Sequence, residues 1–175
     1  MRILSMVMFG AMLFGGFFAG ADDIYDDLLD RPGAVAKWQN SEIMTFLPNG
    51  GPEFDDSAVK ITSVDATKGA MAQFSVGLRW VRGKTVTLSA KVKGENISAL
   101  EKATGGIKLT IRITGADDKV TELNPQPKLG GTFNWRKCIT LATIPNDAKS
   151  VTLVIGLEGV TGTVYFSDLE LDNVD

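Results

Sequence analysis

The sequence predicts an all-β protein, an antiparallel sandwich or barrel built from about ten short strands. Three observations predict it. Apolar and polar residues alternate with a period of two along most of the chain. Gly, Pro, Asn and Asp interrupt these runs at short intervals. Beyond Arg31-Pro32-Gly33 no stretch holds the 3.6-residue period of an amphipathic helix.

The elements follow in chain order. Met1-Arg2, an apolar run from Ile3 to Phe18 and the small residues Ala19-Gly20-Ala21 have the layout of a secretory signal peptide over residues 1–21. The run is shorter than the roughly 20 residues that span a bilayer and contains Gly10, Gly15 and Gly16, so it reads as cleaved rather than as an anchor. The expectation is a secreted protein, extracellular or periplasmic, with no membrane attachment after cleavage. Residues 22–33 are an acidic lead-in carrying Asp22, Asp23, Asp26, Asp27 and Asp30, with room for one helical turn over 24–29. Residues 34–175 read as a single sandwich domain, large enough to bury a core without a staple. Its expected strands are 34–39, 43–46, 58–64, 71–78, 84–93, 107–114, 119–123, 132–142, 150–158 and 163–171. The clearest alternations set Val86, Leu88, Ala90 and Val92 against Thr87, Ser89 and Lys91, and Ile107, Leu109, Ile111 and Ile113 against Lys108, Thr110 and Arg112. Gly50-Gly51-Pro52, Asn124-Pro125-Gln126-Pro127, Gly130-Gly131 and the longer stretch 94–106 read as loops. In the last strand Val164 and Phe166 keep one parity while Leu169 and Leu171 keep the other, which predicts a β-bulge at Ser167-Asp168.

Composition narrows the function. The formal charge is −3 and the basic residues are scattered, so no positive surface for nucleic acid is expected. With no histidine, catalytic triads and imidazole-ligated metal sites are excluded, and the lone Cys138 cannot form an internal disulfide.

Several segments together carry a resemblance. They are Gly83-Lys84-Thr85-Val86-Thr87-Leu88-Ser89-Ala90-Lys91-Val92-Lys93 with Gly94-Glu95-Asn96-Ile97-Ser98 behind them, Gly106-Ile107-Lys108, Thr132-Phe133-Asn134-Trp135, Ile144-Pro145-Asn146-Asp147-Ala148, Ile155-Gly156-Leu157-Glu158-Gly159 and Gly162-Thr163-Val164-Tyr165-Phe166-Ser167-Asp168-Leu169. In order and spacing the chain resembles the carbohydrate-binding jelly rolls of families 4, 9 and 22, closest in pattern to the accessory β-sandwich ahead of some family 5 cellulases. The resemblance implies a jelly roll of the galactose-binding-domain type and non-catalytic binding of a polysaccharide, a plant-type β-glucan or related cell-wall glycan. It also makes a glycoside hydrolase a candidate partner. Where the resembling families often hold a structural calcium, Asp168 is the matching residue.

Sugar binding without catalysis uses aromatic rings against pyranose C–H faces and polar side chains on hydroxyls. Trp80, between Arg79 and Arg82 near a turn, is the best aromatic candidate. Gln73, Lys91, Lys108, Arg112 and Glu158 are the polar candidates, provided that their strands share one sheet. Trp135, in phase with Phe133 and Ile139, is expected to pack rather than bind. Two other readings remain open. One is a structural or adhesive envelope sandwich without sugar affinity. The other is a β-glycanase using Glu170 and Asp172, or the carboxylates of Glu53-Phe54-Asp55-Asp56, and it requires a cleft holding one carboxyl protonated.

Overall fold

The computed structural model describes residues 23–25, 28–99, 105–125 and 128–174. The strands are β1 (Asp23–Tyr25), β2 (Met44–Leu47), β3 (Ala58–Ser63), β4 (Ala70–Val76), β5 (Thr85–Ile97), β6 (Gly106–Thr114), β7 (Val120–Leu123), β8 (Gly131–Thr143), β9 (Ser150–Glu158) and β10 (Gly162–Asn173). Single helical turns lie at Pro32–Val35 (α1) and Leu78–Val81 (α2). All strand pairings are antiparallel. The first sheet runs β2-β3-β10-β5-β8, with β1 on the far part of β10, and the second runs β4-β9-β6-β7.

After β3 the chain shuttles between the layers. It enters the second sheet for β4, returns for β5, and goes back for β6 and β7. Of the closing strands, β8 and β10 lie in the first sheet and β9 in the second. The reversal through Gly159-Val160-Thr161-Gly162 is therefore a crossover between layers and not a hairpin. Between the sheets lie Val86, Leu88, Ala90 and Val92 of β5, Leu109, Ile111 and Ile113 of β6, Leu153, Ile155 and Leu157 of β9, and Val164, Phe166, Leu169 and Leu171 of β10, all at most 5% exposed. Burial at this scale is the main force holding the layers together. One inward polar group, the Thr140 hydroxyl on β8, donates to the Leu109 carbonyl of the opposite sheet at 2.6 Å, so the core carries no penalty for it.

Three segments differ from expectation. Residues 34–39 do not form a strand. Proline at the start of α1 presets a helical φ, and Ala34, Val35 and Trp38 pack inward, with Trp38 Nε1 donating to the Leu28 carbonyl at 3.1 Å. The segment's backbone joins a sheet through one isolated bridge, Gln39 to Gln73. At the start of the lead-in Asp23–Tyr25 is a strand paired with β10, and Leu28 and Leu29 join the core, while residues 26 and 27 of the expected helical turn lie outside the described residues. The loop expected over 94–106 begins late, because β5 continues to Ile97. Residues 1–22, with the signal peptide expected over 1–21, and residues 100–104 lie outside the described residues.

The bulge in β10 is where parity placed it. Pairing with β5 shifts register between Ser167 and Glu170, Ser167 is buried, and Asp168 turns outward with φ of 50°. A second irregularity lies in β8. Phe133 pairs with Gly94 and Arg136 with Val92, three steps against two, so Phe133 turns in over Gly94 while Trp135 turns out.

Candidate functional site

The outer face of the second sheet carries four of the six candidates. The β6 residues Leu109, Ile111 and Ile113 point to the core, so Lys108 and Arg112 point away from it. Lys108 lies opposite Gly156 of β9, which lies opposite Met71 of β4; Arg112 lies opposite Glu122 of β7. Gln73 and Glu158 share this face. The side chains link across all four strands. Glu158 meets the Lys108 ammonium at 2.6 Å, Lys108 meets Glu122 at 3.3 Å, and Glu122 takes two bonds from the Arg112 guanidinium at 2.8 and 2.7 Å. Arg112 then donates to Gln73 at 3.4 Å. Glu122, which completes this strip, escaped the sequence reading because β7 is a short edge strand with little apolar alternation to phase it.

The strip is packed. Lys108 is 3% exposed, and Thr110 and Val154 beneath it are 1% exposed, with the Thr110 hydroxyl donating to Asn124 at 2.6 Å. Burial pushes the Glu122 carboxyl up, but the Arg112 hydrogen bond and the charge and hydrogen bond of Lys108 outweigh it, leaving the group below the ordinary glutamate value. A carboxyl held ionised in this way is no general acid. No aromatic ring stands on this face among the described residues.

The remaining candidates lie elsewhere. Lys91 is on β5, in the first sheet, so the groove expected to combine Lys91 with Lys108 and Arg112 does not exist as one surface. Outward alternation is identical in the two sheets and could not separate them. The Lys91 ammonium reaches Asp168 at 2.8 Å, with Asp56 at 3.8 Å and Glu53 at 4.0 Å. Trp80 sits on α2, where the chain passes from β4 to β5. It is 48% exposed, with the Arg79 guanidinium 4.6 Å from its ring centre.

Beside the bulge a cavity of about 80 Å³ is lined by Leu29, Asp30, Ser57, Asp168, Leu169 and Glu170. That is room for a few waters or an ion and far too little for a sugar ring. Ser167 Oγ donates to the Ser57 carbonyl at 2.7 Å and approaches an Asp168 oxygen at 3.1 Å, so these two oxygens are neighbours. The donors are all oxygen, which suits calcium. Among the described residues, however, no three acidic, His or Cys side chains converge closely enough to hold a metal ion.

Trp135, expected to pack, is partly out. Trp135 of β8 and Tyr165 of β10 flank β5 on the outer face of the first sheet and meet edge to face, 6.4 Å between centres. The Tyr165 hydroxyl donates to Glu95 at 3.0 Å, Lys93 pairs with Glu95 at 2.8 Å, and the Lys93 ammonium lies 4.9 Å from the Tyr165 ring centre.

No family model and no curated protein matches the chain. Solved structures do match. The chain is similar to the family 22 module joined to a family 10 catalytic module in endo-1,4-β-D-xylanase 10B of Clostridium thermocellum, complexed with xylohexaose. There the TM-score is 0.64 at 14% identity, over 86% of this chain and 28% of that one. The C-terminal family 22 carbohydrate-binding module of the same enzyme gives 0.57 at 16% identity, over 87% of this chain and 94% of that module. A family 4 module gives 0.50 at 22% identity with the same coverage. The chain thus has the fold of these modules, the antiparallel two-sheet jelly roll of the family 4, 9 and 22 type.

Proposed function

We propose that the protein is a secreted, non-catalytic module that binds a polysaccharide, a β-glucan or related cell-wall glycan, through the polar strip on the second sheet. One observation carries the reading: Gln73, Arg112, Glu122, Lys108 and Glu158 form a continuous hydrogen-bonded line across all four strands of that sheet. Such a line is fixed before a ligand arrives, so little side-chain entropy is lost on binding. The Glu122, Glu158 and Arg112 side chains remain 32%, 41% and 28% exposed and offer lone pairs and N–H groups to sugar hydroxyls. The similarity to modules of xylanases supports the same reading, and by that analogy a glycoside hydrolase is the expected partner. Trp80 belongs to the proposal as a contact at the end of the sandwich. A calcium ion beside the bulge would rest on Asp168, backbone oxygens and water, and would serve the fold alone.

Catalysis has no support in the geometry. Glu122 and Glu158 both face the Lys108 ammonium, and Glu170 lines the small cavity beside the bulge. The absence of rings from the strip among the described residues favours a second reading, a structural sandwich without sugar affinity. Affinity electrophoresis through gels containing soluble glucans, xylans and mannans separates the two. Retardation by at least one polymer, weakened by Arg112→Ala, is expected, whereas free migration through the whole panel establishes the structural reading. Unchanged mobility of Trp80→Ala removes that residue from the site.

A further inference from the structure

The outer face of the first sheet holds what the polar strip lacks. Trp135 and Tyr165 lean toward each other across β5 and are half-buried, not sealed. Their neighbours are polar in a particular way. Lys93 and Glu95 carry opposite charges and pair with each other, and Thr62 and Thr163 share a hydroxyl contact at 3.0 Å on the adjoining strands. The hydrogen bond from Lys93, followed by that from Tyr165, holds Glu95 below the ordinary glutamate value, so it is an ionised acceptor at neutral pH.

We infer that this face is a second glycan-contact surface, with Trp135 and Tyr165 taking the C–H face of a pyranose in a hydroxyl-rich chain and Glu95 and Lys93 bonding its hydroxyls. The inference rests on the sugar-binding reading above and adds a site to it. Three features select the ligand class. The rings present apolar, electron-rich faces, which the weakly electropositive C–H face of a pyranose matches. A carboxylate has about four lone-pair sites, and the bonds from Lys93 and Tyr165 occupy two, leaving acceptors for hydroxyl donors. Lys93 and Lys60, the latter opposite Tyr165, put N–H donors beside the Glu95 acceptor, the mixed set that a hydroxyl-rich chain bonds. The two rings stand on different strands, β8 and β10, with β5 between them, so the surface is preformed by the sheet and needs no loop to order.

The test combines affinity electrophoresis with intrinsic fluorescence, using soluble mixed-linkage β-glucan and xylan as probes. Trp135→Ala and Tyr165→Ala are each expected to weaken retardation about tenfold. Glu95→Gln is expected to weaken it less. In parallel, polymer added to a Trp80→Phe background should shift the tryptophan emission, and the shift should be lost when Trp135→Phe is added, a change that keeps a ring in place if the alanine variants fail to fold. Retardation and a full emission shift surviving all these changes overturn the inference while leaving the sugar-binding reading intact. If the unaltered protein passes every gel unretarded, the sugar-binding reading falls and the second surface falls with it.

Discussion

Lys108→Met removes one buried ammonium while keeping most of its stem, which isolates the charge at the centre of the polar strip. The Lys108 side chain is 4% exposed, and its partners Glu122 and Glu158 are 32% and 41% exposed. Breaking a fully buried pair by removing one partner costs about 3–5 kcal/mol, because the other charge is stranded. Here both carboxylates can hydrate in part and Glu122 keeps Arg112, so we expect about 1–2 kcal/mol, or roughly 3–7 °C in Tm for a domain of this size. The pH dependence should change as well. Glu122 lies below its ordinary value in the folded protein, so its contribution is present above the unfolded glutamate pKa and is lost as pH falls through the folded one. Without Lys108, two of the influences that lower it vanish, and the acid unfolding midpoint moves to higher pH. Urea unfolding at neutral pH and a series of melts toward acid measure both effects. A variant as stable as the unaltered protein, with an unmoved acid midpoint, would refute the claim that this ammonium organises the strip.

Other expectations follow from single contacts. Gly156 has φ of 134° and an added Cβ would meet the Ala70 carbonyl of β4, so Gly156→Ala should cost at least about 3 kcal/mol in urea unfolding. The hydrogen bond it donates to Asp168 holds the Lys91 ammonium above the ordinary lysine value, so that pair stabilises fully below the unfolded lysine pKa and fades as pH rises through the folded one. Lys91→Met should therefore flatten the alkaline fall in Tm. Because the ammonium already neutralises Asp168, the same variant should gain more Tm from millimolar calcium than the unaltered protein does, and an equal gain would disconnect Asp168 from any bound ion.

The sequence reading succeeded where a local pattern had a single structural meaning. Alternation along β5 and β6 correctly turned Lys91, Lys108 and Arg112 away from the core, since a period of two leaves each side chain only two directions. It could not say which sheet each strand joins. That choice is made by the crossovers, and the residues linking β4 to β5 or β9 to β10 read as turns whether the chain folds back beside its neighbour or crosses to the other layer. Lys91 was consequently grouped with residues on the opposite side of the molecule. The lead-in was misread for a different reason. Its acidic residues dominate the composition, yet Leu28 and Leu29 cover the core and Asp23–Tyr25 extends the first sheet.

The bulges at Ser167-Asp168 in β10 and between Phe133 and Arg136 in β8 show most directly why some features leave no trace in the letters. In β10 the break is straddled by Val164 and Phe166 on one side and Leu169 and Leu171 on the other, all four inside the core, so the phase change appears in the letters themselves. In β8 the break lies between Phe133 and Arg136, and the flanking residues conceal it. Phe133 and Trp135 are both aromatic and two apart, so they look like one buried face, and Ile139 prolongs the illusion. In the structure Phe133 is 9% exposed over Gly94, whereas Ile139 is 48% exposed on the outer side that it shares with Trp135. The extra residue is accommodated where Gly94 leaves room for the Phe133 ring, a condition set by the neighbouring strand and absent from β8 itself. A bulge that re-aims a core-like residue outward is thus invisible when that residue is apolar, and in this chain that residue is Trp135, the ring on which the second glycan surface depends.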